Sequence, residues 1–226
     1  MRWTLDARQA KKDSELLDYF ANIIDSQKLA PAVLAAALSA CATETVLLNS
    51  ERIEQQFGSY GIEVLASEAG LRRSNLYSVE GNERTCRTYA IVRFRDNLDS
   101  SYGPEHARVL AGNSLGAVFK ANGWSMHKQT LHIGSFEIGQ TTSELSRLMR
   151  ISGDRSNDRT LALHVYQLLL TKKDQTFEYA TIIEAHHPGY LTQSDLLDIY
   201  DYDDSESLSP ETLVDLIDLL TSKRDR

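Results

Sequence analysis

An α+β domain, built on an antiparallel sheet of five to seven strands with helices mainly on one face, is the fold this sequence predicts. Two observations lead there. Short apolar and β-branched runs are joined by tight polar turns, as at Glu80-Gly81-Asn82 and Lys172-Lys173-Asp174-Gln175, the usual signature of hairpins. Helical patterns do not alternate regularly with the strands, which disfavours a parallel doubly wound sheet. The amount of apolar material agrees: 226 residues, 42% of them hydrophobic and 25% charged, suffice for one ordinary domain and an appendage. We place the appendage at residues 1–42 and the domain at residues 43–226.

The elements follow in order. Asp13 and Ser14 open a helical pattern whose apolar stripe is Leu16, Leu17, Phe20, Ile23 and Ile24. The character then changes. From Leu29 to Cys41 the chain carries no charge, so it lacks the polar face that a soluble amphipathic helix keeps. This run is too short to span a bilayer as a helix, for which about 20 residues are needed, but it has the length of a signal-peptide apolar region. Its end, Leu38-Ser39-Ala40-Cys41, resembles the lipobox of bacterial envelope lipoproteins. That resemblance implies that Cys41 is the acylated residue and the mature N-terminus, and Ala42 does not look like an inner-membrane retention signal. The residues ahead of the run, Asp13, Glu15, Asp18 and Asp25 among them, are too many and too acidic for a lipoprotein leader, so either the start lies downstream of Met1 or a different reading holds. There, residues 14–42 form a helical hairpin bent at Pro31 in a cytoplasmic protein, with Leu16, Phe20 and Ile24 packed on the sheet.

The body begins with strand-like runs at Thr45 to Leu48 and Ile62 to Leu65, separated by the turn cluster Gly58-Ser59-Tyr60-Gly61. Asn75 to Val79 and Cys86 to Phe94 form a hairpin. Pro104 to Asn122 reads as one helix ended by Gly123, its small residues suited to lying against a sheet. Leu131 to Ile138 is a strand, Ser143 to Met149 a short helix, and Asp154 to Asp158 a polar loop. Thr160 to Leu170 is almost continuously apolar, which predicts a strand covered on both sides. It turns into Phe177 to His187. Ser209 and Pro210 start a closing helix.

Few residues carry chemistry. The net charge of −8 leaves no basic stripe for phosphates, so nucleic acid is not an expected partner, and membrane contact is expected only through a lipid anchor. The two cysteines, Cys41 and Cys86, make no disulfide framework, and Cys86 reads as a buried thiol. No P-loop occurs. Gly112-Asn113-Ser114-Leu115-Gly116 misses the spacing of a nucleophile elbow and falls inside the expected helix. The acidic run Asp201, Asp203, Asp204 and Glu206 lacks the spacing of a calcium loop. Arg87, Arg93 and Arg95 have the parity of one sheet face and form a candidate site for a carboxylate or acidic partner. Glu184 and His186 share another face, with His187 turned away, and His127, His132 and His164 lie on or beside other strands. Glu184, His186 and His132 are therefore the candidate metal ligands, although no HExxH spacing is present. A metalloenzyme there requires a further histidine within bonding reach.

The expectation drawn from all this is a non-enzymatic, lipid-anchored envelope protein on the periplasmic face of a membrane. It would serve in binding or assembly, with no cofactor called for and a protein or small-molecule partner left unspecified. The alternative is a cytoplasmic ligand-binding domain or enzyme using the arginines or the histidines.

Overall fold

The turns read from the sequence make the frame of the molecule. A computed structural model describes residues 47–68, 70–96, 98–138, 144–151 and 159–202. The expected N-terminal helix, the apolar run with Cys41, the loop at 154–158, the acidic run past Tyr202 and the helix at Ser209 lie outside the described residues. Leu71–Glu80 (β2) and Glu83–Phe94 (β3) form a hairpin through Gly81, whose φ of 63° suits a residue without Cβ. Thr160–Lys172 (β5) and Gln175–His186 (β6) form another. Its two turn residues, Lys173 and Asp174, have φ of 50° and 62°, the double positive φ of a type I′ hairpin turn.

Gly61–Glu68 (β1) pairs with β2, Ser125–Glu137 (β4) pairs with β5, and β3 joins β6 at the centre. The result is a six-stranded, wholly antiparallel sheet in the order β1-β2-β3-β6-β5-β4. The apolar run becomes β5, second from the edge, and every residue from Leu161 to Leu170 is buried, as covering on both faces requires. Two irregularities matter later. β3 carries an extra residue at Arg87, between the pairs Leu76–Thr88 and Tyr77–Cys86, and β4 carries one at Leu131, between Thr130–Tyr166 and His132–Val165. Each bulge reverses which face the following side chains address.

One strand expectation and one helix expectation are corrected. Leu47 and Leu48 do not belong to a strand; they lead into the helix Asn49–Phe57 (α1), where Glu51 accepts a hydrogen bond from the Leu48 N–H at 3.1 Å. Gly58, at φ 71°, ends that helix with its N–H on the Glu54 carbonyl. The single helix expected from Pro104 to Asn122 is two: Gly103–Leu110 (α2) and Leu115–Ala121 (α3), broken at Gly112 with φ 102°. Buried Arg72 of β2 explains how the break is tolerated. Its guanidinium donates to the carbonyls of Val109 and Asn113, at 2.9 and 3.0 Å, where α2 ends.

Glu144–Leu148 (α4) packs on one face of the sheet, over Ile91, Leu163, Val165 and Ile183. Cys86 is buried on that side, where burial pushes its thiol up and leaves it unreactive at neutral pH. The opposite face is covered by α2 and α3 near Val92, Phe94 and Leu168. It is covered by α1 and Gln193–Tyr200 (α5) near Leu76, Ile133 and Ala162. Among the described residues, then, the helices lie mainly on one face. The candidate site lies on that face, between its two apolar clusters.

Candidate metal centre

In an antiparallel pair, residues directly opposite one another share a face. His164 of β5 stands opposite Glu184 of β6, which stands opposite Ala90 of β3; His186 stands opposite both Ala162 and Thr88. This places His164, Glu184 and His186 on one face, in the middle of the sheet. Their exposures are 0%, 5% and 1%. One ligand atom from each lies within 4.8 Å of the others, and among the described residues these three form the group able to hold a metal ion.

The two rings are held in the same manner. His164 Nε2 meets Thr130 Oγ1 of β4 at 3.1 Å, and His186 Nδ1 meets Thr88 Oγ1 of β3 at 3.0 Å. The remaining nitrogens, His164 Nδ1 and His186 Nε2, are buried and make no hydrogen bond. His186 Nε2 lies 3.8 Å from Glu184 Oε2, too far to be one. A buried N–H without an acceptor is rarer than an acceptor without a donor. We therefore assign the proton to the nitrogen that faces the threonine in each ring. Each imidazole then directs a bare lone pair into the space beside Glu184, and its orientation is fixed from behind, as metal-binding histidines usually are.

Aromatic rings enclose the group. The Tyr166 and Tyr200 rings lie against His164, with centroids 4.6 and 4.3 Å away, and Tyr190 stands 5.9 Å from His186. The Tyr190 hydroxyl donates to Asn49 Oδ1 at 2.7 Å, and the Tyr202 hydroxyl donates to the carbonyl of bulged Leu131 at 2.9 Å. These bonds tie α1 and the end of α5 over the site. The α5 start is set by Thr192, whose hydroxyl accepts the Asp195 N–H at 3.2 Å.

One cation completes the arrangement. Lys128 of β4 donates to Glu184 Oε2 at 3.2 Å, and its ammonium sits 4.3 Å from the Tyr166 ring centroid. Burial alone would strip the proton from Lys128 and return one to Glu184. Their mutual attraction outweighs it: the ammonium is held well above its usual range and the carboxyl below its own. Burial pushes His186 down to about 4, with Glu184 opposing and Lys128 assisting. Burial and the Lys128 charge also push His164 well below its usual value. Both rings are neutral at pH 7, the form a metal needs.

A pH dependence of stability follows. Between pH 6.5 and 4 the unfolded chain takes up protons that these buried imidazoles refuse, so the metal-free protein should lose stability as the pH falls. His186 alone accounts for on the order of 3 kcal/mol across that window. Glu184, depressed below its unfolded value, adds a loss in the same direction at lower pH. Urea unfolding midpoints at pH 7 and pH 4.5 measure this; equal midpoints would mean that the histidines are not buried neutral.

The sequence-derived site residues separate as follows. Glu184 and His186 come together, and His187 points away, its Nδ1 accepting the Gly189 N–H at 2.9 Å. His132 does not join them. Its partner is Val165, so it lies on the opposite face, and the cause is the bulge at Leu131. Without that extra residue His132 would stand opposite His164; with it, Ile133 does. His127, opposite Leu169, also faces away. The third ligand is His164. Its signal in the sequence was a lone ionisable residue in the centre of a run otherwise buried on both faces.

The arginine row is also corrected. Arg87 is the bulged residue, and it reaches Ser78 at 2.8 Å, pairs with Glu80 and lies 3.7 Å over the Phe57 ring of α1. Arg93, opposite Leu71, faces the α4 side and pairs with Asp96 at 3.3 Å, while Arg95 pairs with Glu178. The bulge divides the three between faces, and each already serves a neighbouring acid. Ser114 sits at the start of α3 rather than on a nucleophile elbow.

No protein-family model matches this chain, and no curated protein sequence matches it at a significant level.

Proposed function

We propose that this protein binds one divalent transition-metal ion through His164 Nδ1, His186 Nε2 and a Glu184 carboxylate oxygen. The observation that carries the reading is the convergence of two buried, unpartnered imidazole nitrogens on one carboxylate, with both opposite ring nitrogens anchored by threonines. Two nitrogens and one oxygen suit zinc, cobalt or ferrous iron rather than calcium or magnesium, which prefer all-oxygen shells. Three protein donors leave a coordination position open, as in catalytic rather than closed structural sites. Equilibrium dialysis of the full chain against Zn²⁺ and Co²⁺ should give one bound ion per chain, and no retained ion would overturn the reading.

The second reading concerns place, and the sequence from Leu29 to Cys41 favours it. The protein is tethered to a bacterial envelope membrane through acyl chains on Cys41, with its folded body on the periplasmic side. Several chains on one residue give stable anchoring where a single chain is marginal. Cys41→Ser should move the protein from the membrane to the soluble fraction of its native host. Unchanged membrane association, or a mature chain that still begins at Met1, would count against the anchor.

A further inference from the structure

The charges around the proposed metal ion do not balance, and the imbalance identifies what completes the site. The Lys128 ammonium and the Glu184 carboxylate form an ion pair at 3.2 Å whose charges cancel. A divalent ion adds two positive charges to buried side chains packed against the rings of Tyr166, Tyr190 and Tyr200. Uncompensated charge in such surroundings is costly, so the open coordination position favours a negatively charged ligand over a neutral one.

Lys128 is placed to receive it. Its ammonium has three donors, of which Glu184 takes one and the Tyr166 hydroxyl another, leaving one. It is also the least covered side chain of the cluster, 18% exposed against 7% for Glu184 and 1% for His186. Resting on the metal reading above, we propose that the loaded site takes a small oxyanion, a carboxylate or a phosphate, with one oxygen on the ion and another on Lys128 Nζ. Phosphate cancels more of the charge, whereas a carboxylate needs less room beneath α5. Both share the chemistry on which the inference rests.

The test uses the full chain loaded with Co²⁺, whose visible spectrum reports the coordination sphere, titrated separately with acetate and inorganic phosphate. At least one should change the spectrum saturably. Lys128→Met, compared at saturating Co²⁺, should weaken that anion by ~tenfold or more, the size expected for loss of a hydrogen bond to a charged group. Lys128→Arg should restore most of the affinity. If Lys128→Met does not fold, Lys128→Gln serves in its place. A spectrum indifferent to both anions, or an anion bound equally well without the lysine charge, overturns the oxyanion site and leaves metal binding intact. Failure to take up Co²⁺ at all overturns both proposals.

Discussion

Replacing His186 with Ala should lower the affinity for Zn²⁺ or Co²⁺ by more than about a hundredfold. Loss of residues that merely orient a metal-binding histidine costs roughly 10- to 100-fold, so loss of a donor must cost more. Two donors, His164 Nδ1 and the Glu184 carboxylate, would remain, and neither sits beside another imidazole on that face. His132 cannot substitute because the Leu131 bulge directs it through to the other side of the sheet. The fold should survive the change. The ring contributes one hydrogen bond, to Thr88, and an edge contact with Tyr190, and its deletion removes a burial penalty together with those contacts. Calorimetric titration of folded His186→Ala reads the result. Affinity within a factor of a few of the unaltered protein would show that His186 is a satisfied core histidine.

The second large effect is on stability. Glu184→Leu removes the carboxylate that holds Lys128, leaving an ammonium against Tyr166 and Tyr200 with its charge uncompensated. Breaking a buried ion pair from one side costs about 3–5 kcal/mol. The partial exposure of Lys128 lets its head group turn toward water, so the lower end, about 3 kcal/mol, is expected. The informative comparison is Glu184→Leu with Lys128→Met, where apolar groups replace both charges. That pair should recover most of the loss, since exchanging a buried pair for packed side chains is often neutral. Urea unfolding at pH 7 with unchanged m-values measures both proteins. A Glu184→Leu loss below about 1 kcal/mol would mean that the pair is solvated in solution.

These contrasts also show what could be read from the chain. Both hairpins were legible because Gly81 and Lys173-Asp174 mark turns whose φ values the flanking runs demand. The shared face of Glu184 and His186 follows from strand periodicity alone, and the covering of β5 follows from its unbroken apolar character. The third ligand was not legible. It depended on an extra residue in β6, Tyr179, which shifts the hairpin register so that His164 stands opposite Glu184 instead of Ile183. The bulges at Arg87 and Leu131 were equally hidden, since neither residue marks a bulge, and each reversed one expected grouping. The break at Gly112 illustrates a tertiary cause. The segment has helical propensity on both sides, but buried Arg72 supplies the donors that let the helix stop there.

The most direct measurement is the ¹⁵N spectrum of the histidine rings before and after one equivalent of Zn²⁺. The metal-free protein should show His164 with its proton on Nε2 and His186 with its proton on Nδ1, each held by its threonine. Zinc should then shift His164 Nδ1 and His186 Nε2 and leave the rings of His127 and His132 unchanged. Reversed tautomers, charged rings at pH 7, or zinc that moves other histidines and not these two would contradict the site.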